Sequence, residues 1–493
     1  MESAIKRISA ALPLLIIMVF FVLFASVPLW DPDFFWHLKT GEWISQHKEI
    51  PQEDPFSYTT PSGETLRKKF ILGQYWLSQL VFFFIWKQAG IAGIIIFRAL
   101  LLSSMLLLAY LFMKKKVDPI FLSLFILFSG SIFINFTGER PQLFSFLGTA
   151  LLVFIIERYK ETRGNILYVL PAVILIWANL HGGVILGDAL ILIYIIAEGI
   201  KLLFKLDPLK KSEYLKFLLV CTAAVILSAV NPNTYQLFTA FYQFSGKSIS
   251  QQMSSEFLSP LTIAFQYNKI YRGYFFMVVL IIILTAPLIF VRGRKVNIGL
   301  LSVIIFLTAI SLVSARYMVF PAIVLPLLSA DAYNIFRDKF QRIRLGAAIG
   351  IIIFMCYFSW GKDIFSFRVF ESYPDKAVEF IKKTRPGGNL FNYFDWGGYL
   401  MVMLPEYKVF IDSRGLDDGV RIKYTLLLAG STMRYANKYE WEHIMDNYDI
   451  KVVVLPWYNF TGNKIRLIEI LMRDPGWEMS YSDEKSVVFL RIR

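Results

Sequence analysis

The sequence has 493 residues, of which 56% are hydrophobic and only 18% are charged. Soluble domains contain roughly 45–50% apolar and about 25% charged residues, so this excess is too large for a water-soluble core. The formal charge of +14 does not indicate a nucleic-acid partner, because the basic residues lie mostly in short connections between apolar runs. The composition therefore predicts a polytopic α-helical membrane protein whose partner is the lipid bilayer.

Long apolar runs recur from residue 11 to residue 360, and each is about long enough to cross a hydrocarbon layer of roughly 30 Å. The first run is too long for the core of a signal peptide and lacks a clear cleavage site, so we expect a retained helix. Cys221 and Cys356 lie inside apolar runs and predict no disulfide framework. Hydropathy and helix breakers predict about eleven transmembrane helices, near residues 11–30, 91–113, 119–136, 141–159, 166–187, 188–204, 215–230, 274–291, 298–316, 319–333 and 345–360.

The distribution of basic residues predicts the orientation of these helices. Residues 71–86 are also apolar, but they are short and include Gln74, Ser78 and Gln79. If they form an interfacial helix, Lys114 to Lys116 fall on the same side as the other basic connections, as the positive-inside rule requires. We therefore expect an interfacial helix and a cytoplasmic N-terminus.

This topology predicts two domains. A transmembrane domain covers residues 1–360 and carries two long outer loops, residues 31–90 and residues 231–273. Residues 361–493 form a soluble extracytoplasmic α/β domain. We expect its helices near residues 374–383, 424–430 and 439–447, and its strands near residues 389–393, 408–411, 451–455, 480–483 and 486–490.

An acidic motif begins the first long loop. Asp31 and Asp33 flank Pro32, and Phe34, Phe35, Trp36 and His37 follow. Aromatic residues at the headgroup level lower the local dielectric, which raises a carboxylate pKa and favours a general base. The pair can also hold a divalent cation such as Mg²⁺ or Mn²⁺. The alternative is a purely structural role, in which the aspartates cap the next helix and the tryptophan anchors it.

Residues 31–37 resemble the acidic motif of the GT-C class of membrane glycosyltransferases. The outline of residues 1–360 is also similar to that class, because it has a large first outer loop, interfacial helices and about eleven spans. The stretch from Trp76 to Arg98 looks like the segment that follows the motif in bacterial members. The resemblance implies a polyprenyl-phosphate-linked sugar as donor and transfer on the outer face. No acceptor motif of the Trp-Trp-Asp type is found, so the resemblance extends to the class and not to a particular member.

Two arginines near the predicted outer face are candidates for binding the donor phosphate, because a guanidinium matches phosphate oxygens. Arg140 follows Glu139 in a short turn, where a local ion pair is the alternative. Arg316 lies at the end of an apolar run, where a cation is costly unless it faces a cavity.

Two further residues are supporting candidates. His181, followed by Gly182 and Gly183, is a candidate for positioning the donor, although a helix contact explains the glycines equally well. Glu256 in the second long loop is a candidate second acidic residue, although solvated loop carboxylates are common.

The C-terminal region contains one motif-like stretch, from Phe394 to Leu400, in which paired glycines after Asp395 and Trp396 indicate a close backbone approach. Asp412 and Arg414 follow. They predict either a polar site or an ion pair that stabilises the fold.

These features favour a glycosyltransferase. Asp33 is the predicted general base, Asp31 assists it or binds metal, Arg316 and Arg140 stabilise the departing phosphate, and His37 supports the site. The acceptor is a glycan, a lipid or a protein.

The alternatives are a carrier or flippase for lipid-linked sugars, which should have its ionisable groups near the membrane midplane, and a polymerase or ligase of O-antigen type. The polymerase or ligase differs from the transferase chiefly in having its site in the second long loop rather than the first, so comparing substitutions of Asp33 and Arg272 separates these two. We expect a bacterial inner membrane as the location, on the class resemblance.

Overall fold

In the computed structural model, the chain folds into two compact units. The first unit comprises Met1–Leu29, Ala89–Phe238 and Ser254–Arg368, and the second unit comprises Trp30–Gln88, Thr239–Met253 and Val369–Arg493. The structure describes residues 2–63, 65–239, 249, 255–262, 272–290, 297–328, 333, 346, 349–350, 369, 373–435, 437–459 and 462–492. The predicted span at residues 345–360 lies almost wholly outside the described residues.

Helices dominate the described part of the chain. In chain order they are α1 (Glu2–Ser26), α2 (Asp33–His47), α3 (Leu66–Gly73), α4 (Trp76–Met113), α5 (Pro119–Phe136), α6 (Gln142–Thr162), α7 (Leu170–Leu180), α8 (Val184–Leu203), α9 (Lys211–Ser228), α10 (Arg272–Phe290), α11 (Ile298–Val313), α12 (Ala315–Leu328), α13 (Asp375–Thr384), α14 (Gly397–Met403), α15 (Asp418–Ala429), α16 (Glu440–Asn447) and α17 (Arg466–Leu471).

Three helical stretches of the described residues are long and apolar enough to cross a membrane: Leu66–Met113, Pro119–Phe136 and Gln142–Thr162. Shorter apolar helices accompany them at Ala10–Ser26, Asn165–Leu180, Gly273–Ala286, Ile298–Val313 and Ala315–Leu328. Their composition suits a hydrocarbon environment, in which a helix satisfies all of its own backbone polar groups.

Gly90 interrupts the longest of these stretches. Its backbone has φ 56° and ψ −145°, a conformation that a residue with a side chain rarely adopts. The interruption divides α4 at the point where the sequence separates an aromatic segment from the next apolar span.

The predicted boundary between the spans at residues 166–187 and 188–204 is wrong. α7 ends at Leu180, His181 has an extended backbone, and α8 begins at Val184. The helix break therefore falls at the His-Gly-Gly sequence, where the glycines let the chain turn, rather than seven residues later.

A buried ion pair organises the first unit. The guanidinium of Arg98 bonds to the carboxylate of Glu139, and both side chains are almost fully buried. Arg98 Nη2 also donates to the carbonyl oxygens of Phe24, at 2.7 Å, and Val27. Arg98 thereby neutralises a buried carboxylate and satisfies carbonyl groups at the C-terminal end of α1, which have no partner inside the helix.

The second unit contains a four-stranded mixed sheet. Its strands are β1 (Asn389–Asn392), β4 (Ile450–Pro456), β6 (Ser486–Arg491) and β5 (Trp477–Ser482), in that spatial order; β2 (Arg434–Tyr435) and β3 (Lys438–Tyr439) form a separate hairpin. β1 pairs with β4 in parallel, and the other two pairs are antiparallel. The apolar side chains of residues 452–455 are fully buried, so β4 forms the centre of this core.

The strand predicted at residues 408–411 is wrong. Only Val409 pairs there, in an isolated bridge to Ser57. The Val409 amide donates to the Phe56 carbonyl at 3.0 Å, and the Tyr58 amide donates to the Val409 carbonyl at 3.3 Å. This segment packs between the first long loop and β1 instead of joining the sheet, because the Phe410 ring lies edge-on against both Tyr58 and Phe391.

Arg414 joins the first long loop to the C-terminal part of the second unit. Its Nη1 lies 2.7 Å from Asp54 Oδ1, and its Nη2 lies 2.7 Å from Asp412 Oδ2. Burial alone raises the pKa of Asp54, but the charge and hydrogen bonds of Arg414 outweigh it and hold the pKa below its ordinary value. The same two carboxylates raise the pKa of Arg414 above its ordinary value despite its burial. The predicted alternative of a fold-stabilising ion pair therefore describes Asp412 and Arg414.

We predict that Arg414→Leu destabilises the second unit by about 3–5 kcal/mol, because two carboxylates then lose their buried cation. Denaturant unfolding of the full chain in detergent measures the effect. The exposed Arg473 provides the control: Arg473→Leu should change stability by less than about 0.5 kcal/mol.

The same comparison should depend on pH. Because the folded-state pKa of Asp54 is lowered, ionised Asp54 contributes to the free energy of unfolding above the ordinary aspartate pKa. This contribution disappears as pH falls through the folded-state pKa. An equal loss of stability in Arg414→Leu and Arg473→Leu, or a difference that grows on acidification, contradicts this account.

Candidate active site

The acidic motif of the first long loop forms the start of α2. The Asp33 amide donates to Asp31 Oδ1 at 3.0 Å, and Trp36 Nε1 donates to Asp33 Oδ1 at 3.3 Å. Asp31 therefore accepts from the first amide of the helix, as the structural alternative predicts. Asp31 is only 1% exposed, whereas Asp33 is partly exposed. Of the two carboxylates, Asp33 is thus the one that a substrate can reach.

His37 lies one turn further along α2 and supports the motif. Its ring centroid is 3.5 Å from that of Trp36, and Gln79 Nε2 lies 3.3 Å from its Nδ1. His37 is 2% exposed. This side chain fixes Trp36, which in turn donates to Asp33, so its position suits the supporting role that the sequence predicts.

The paired glycines of the C-terminal motif pack α14 directly against α2. A Cβ atom on Gly398 would lie 3.0 Å from the Trp36 amide nitrogen and 3.2 Å from the Pro32 carbonyl oxygen. A Cβ atom on Gly397 would clash with the backbone at Ile411 and Asp412. The close backbone approach inferred from the sequence is therefore present, although it is made by a helix start rather than by a tight turn.

This packing adds a third carboxylate, that of Asp395, which was not among the site residues predicted from the sequence. Burial raises the pKa of Asp395 to about 6, and the negative charge of Asp33 adds to the effect, while Arg421 opposes it. The signal in the sequence was the Asp-Trp-Gly-Gly motif itself, whose aspartate lies immediately before the close contact.

Two tyrosines border the three carboxylates. Burial raises the pKa of Tyr373 above its ordinary value, and the charges of Asp31, Asp33 and Asp395 raise it further. The Tyr373 ring stacks on Tyr399 at 4.6 Å, and Phe35 packs edge-on against both rings. Tyr373 therefore stays neutral and provides a hydroxyl group beside the acidic residues, which we name the acidic cluster (Asp31, Asp33 and Asp395).

A second group of predicted residues meets within the first unit. Arg140 Nη1 lies 3.0 Å from Glu256 Oε2, and Arg316 Nη1 lies 3.9 Å from Glu256 Oε1. Burial alone raises the pKa of Glu256, but Arg140 and Arg316 outweigh it and lower the pKa below its ordinary value. We name these three residues the arginine cluster; its formal charge is positive, with two cations and one carboxylate.

The backbone around Glu256 is firmly held. Ser314 Oγ donates to the Glu256 carbonyl at 2.9 Å, and the Ala315 amide donates to the Leu258 carbonyl at 2.9 Å. The guanidinium of Arg316 lies over the Phe257 ring at 5.2 Å. These contacts fix the carboxylate that holds both arginines in position.

Glu139 and Arg140, which are neighbours in the sequence, each form an ion pair across the fold. Glu139 pairs with Arg98, and Arg140 pairs with Glu256. The spacing of the two residues in a turn gave no signal of these long-range pairs.

His181 belongs to the interior of the same unit. Its Nδ1 lies 2.6 Å from Ser145 Oγ, which also accepts from Trp177 Nε1 at 2.8 Å. The charges of Arg316 and Arg140 act on its ring. His181 therefore makes the helix contact that the structural alternative predicts, and it also lies close enough to the arginine cluster to feel its charge.

The carboxylates do not complete a metal site within the described part of the chain. No group of three or more His, Cys, Asp or Glu side chains there converges in a way that would hold an ion. Asp31 and Asp33 also use one oxygen each for hydrogen bonds to α2.

The raised pKa of Asp395 generates a prediction about stability. The folded protein binds the carboxyl proton of Asp395 more tightly than the unfolded chain does. The stability that this proton contributes is therefore fully present below the ordinary aspartate pKa and is lost as pH rises through about 6. Asp395→Asn removes this titrating group, so the stability of the variant relative to the wild type should be roughly 2 kcal/mol higher at pH 7 than at pH 4. Unfolding at the two pH values measures this difference.

The matched control for Asp395→Asn is Glu484→Gln, which changes an exposed carboxylate of the same unit. A variant that loses stability at pH 7, or that behaves like Glu484→Gln at both pH values, contradicts the assignment of a raised pKa.

No protein-family model matches the sequence, and no curated protein matches it. Several solved structures do match the fold.

The archaeal oligosaccharyltransferase AglB from Archaeoglobus fulgidus, in complex with an inhibitory peptide and a dolichol-phosphate, matches with a TM-score of 0.62 and 12% identity over 92% of this chain and 69% of that chain. The Archaeoglobus fulgidus oligosaccharyltransferase tethered to an acceptor peptide matches with a TM-score of 0.57 and 12% identity over 90% of this chain and 69% of that chain. The complex of the same oligosaccharyltransferase with Zn and sulfate matches with a TM-score of 0.56 and 13% identity over 90% of this chain and 68% of that chain. Identity this low establishes the fold alone, and the fold agrees with the class resemblance of residues 31–37. The chain therefore has the GT-C fold of membrane glycosyltransferases.

Proposed function

We propose that this protein is a membrane glycosyltransferase that moves a sugar from a polyprenyl-phosphate-linked donor to a hydroxyl group of a glycan, lipid or protein. The observation that carries the proposal is the acidic cluster, in which the partly exposed Asp33 lies beside the buried Asp31, the partly exposed Asp395 and aromatic rings. The GT-C fold supports it. The AglB structure contains a dolichol-phosphate and an inhibitory peptide, and the tethered structure of the Archaeoglobus fulgidus oligosaccharyltransferase contains an acceptor peptide.

In the proposed reaction Asp33 takes the proton of the acceptor hydroxyl. The acceptor oxygen then forms a bond to the anomeric carbon of the donor sugar, and the bond from that carbon to the phosphate oxygen breaks. The electron pair leaves with the lipid phosphate, and Asp33 later returns its proton to solvent. Because phosphate is a good leaving group, the protein supplies mainly positioning and charge stabilisation.

The surroundings of Asp33 suit it to this role. Trp36 Nε1 donates to one carboxylate oxygen and orients the group. Asp31 accepts from the Asp33 amide, and the charge of Asp33 acts on Asp395, so the three carboxylates form one electrostatic group. In this proposal Asp31 orients α2 and Asp395 maintains the electrostatic environment.

Arg140 and Arg316 are the proposed phosphate ligands. Glu256 holds both guanidinium groups and leaves the arginine cluster with a positive formal charge, which suits a phosphate that gains negative charge as the sugar departs. His181 packs nearby through Ser145 and maintains the local structure. The basic connections of the sequence support a cytoplasmic N-terminus and an extracytoplasmic C-terminal segment. The class resemblance supports a bacterial inner membrane as the location.

We predict that Asp33→Asn lowers sugar transfer at least about 100-fold, because the amide cannot act as a base. The measurement is transfer of radiolabelled sugar from polyprenyl-phosphate donors in membranes that contain matched amounts of each protein. The exposed Glu49 in the same loop provides the control, and Glu49→Gln should retain full transfer. Equal rates for Asp33→Asn and the wild type contradict the catalytic role.

Arg316→Gln should lower transfer about tenfold or more, since it removes a charge-assisted contact to the departing phosphate. The loss should be larger in kcat than in KM if the contact strengthens as the phosphate charge develops. Lys115→Gln, which removes an exposed cation elsewhere in the chain, is the control. An effect of the same size in both variants assigns the loss to net charge and argues against a phosphate ligand.

A further inference from the structure

A cleft in the second unit is not used by the reaction proposed above. It is a shallow cleft, whose volume of about 290 Å³ includes open solvent, and it lies between residues 57–60 of the first long loop and residues 410–421 of the C-terminal part. Its polar lining includes Ser57, Thr59, Asp412, Asp417 and Arg421. The cleft is therefore built by two segments that are far apart in the sequence.

Arg421 is the distinctive residue of this cleft. No hydrogen bond or ion pair of its guanidinium is found among the described residues, and its Nε and Nη1 atoms are buried without a hydrogen-bond partner. The guanidinium lies 3.8 Å above the ring of Phe394 and 5.3 Å from that of Tyr424. Stacking fixes the plane of the group but does not satisfy its N–H donors, so Arg421 retains capacity for an anionic acceptor.

The two carboxylates of the lining are already engaged. Asp412 pairs with Arg414, and Asp417 Oδ1 accepts from the Val420 amide at 2.9 Å at the start of α15. Neither one neutralises Arg421 by a direct contact, and each still has acceptor capacity for ligand hydroxyl groups. A ligand that combines one carboxylate with several hydroxyl groups fits this distribution of donors and acceptors.

The backbone around the cleft disfavours an extended peptide. Residues 56–58 already bond to Val409 on both sides of the bridge at Ser57, so this edge offers no free strand for a peptide to join. Recognition must then use side chains. The hydroxyl groups of Ser57, Thr59 and Thr60 line the same edge.

The cleft is also linked to the acidic cluster. Arg421 acts electrostatically on Asp395, and the amide of Phe394, the preceding residue, donates to the Tyr424 hydroxyl at 3.1 Å. Near the cleft, Asp418 contacts Arg67 at 3.1 Å and accepts from the Ile249 amide at 3.2 Å. Both long loops thus meet the C-terminal part beside this cleft, which is suitable for holding an acceptor.

We propose that this cleft binds a sugar acid of the acceptor glycan, with its carboxylate on the Arg421 guanidinium and its hydroxyl groups on the lining residues. This inference rests on the proposed function and makes it more specific: the acceptor is an acidic polysaccharide or oligosaccharide. Arg421 selects the acceptor and takes no part in the bond-breaking step.

The test is binding of a galacturonate trisaccharide to the full chain in detergent, by calorimetry, without any sugar donor. We expect saturable binding to the wild type and binding about tenfold weaker or more to Arg421→Gln, which loses a charge-assisted hydrogen bond. Arg421→Lys, which keeps the charge, should bind more tightly than Arg421→Gln. Arg473→Gln is the control and should bind like the wild type, and circular dichroism and thermal unfolding select the variants that fold.

Neutral galactotriose and a tri-aspartate peptide distinguish the ligand classes. Equal binding of galactotriose, tighter binding of the peptide, absence of saturable galacturonate binding to the wild type, or unchanged binding to folded Arg421→Gln overturns the proposal. Asp33→Asn should bind the trisaccharide normally. Normal binding without transfer in the wild type therefore counts against the proposed function and leaves the cleft assignment standing.

Discussion

The buried charge of Arg414 is the constraint on which the second unit depends. A guanidinium removed from water must be met by carboxylates, and Asp54 and Asp412 meet it from two segments separated by more than three hundred residues. This pairing keeps the first long loop against the C-terminal part. The packing of α14 on α2 at Gly398 is a second contact between the same two parts of the second unit, and it brings Asp395 to the acidic cluster.

The chemistry of the acidic cluster follows from crowding of like charges in a poorly solvated place. Asp31 is buried and bonded to the start of α2, Asp395 is partly exposed and has a raised pKa, and Asp33 is partly exposed and accepts from Trp36. Three carboxylates of one chemical type thereby acquire different tasks through their environments. The arginine cluster has the opposite character, because one fixed carboxylate, Glu256, holds two guanidinium groups.

Much of this organisation could be predicted from the sequence, where local pattern and structure agree. The acidic motif, the interruption before the span at residue 91 and most elements of the C-terminal sheet follow from composition, breakers and alternation. The strand expected at residues 408–411 is absent because this segment packs between the first long loop and β1 instead of joining the sheet. Only a tertiary contact could show this difference.

Pairing of charges was the least predictable feature. Glu139 and Arg140 are neighbours in the sequence, yet they bond to Arg98 and Glu256, respectively. Likewise, nothing in the sequence near Asp33 indicates Asp395, because their approach depends on Gly398 packing against Trp36. Long-range ion pairs are set by the fold, and a single sequence contains no signal for them.

The most direct test of the central claim follows the fate of the donor. The purified chain is placed in liposomes that contain a polyprenyl-phosphate-linked sugar, together with a mixture of glycan acceptors, and both the lipid and the sugar are followed by mass spectrometry. The account predicts release of the free lipid phosphate together with a new glycoside of equal amount. Movement of the intact donor across the bilayer, with neither lipid phosphate nor glycoside formed, would contradict a transferase and support a carrier.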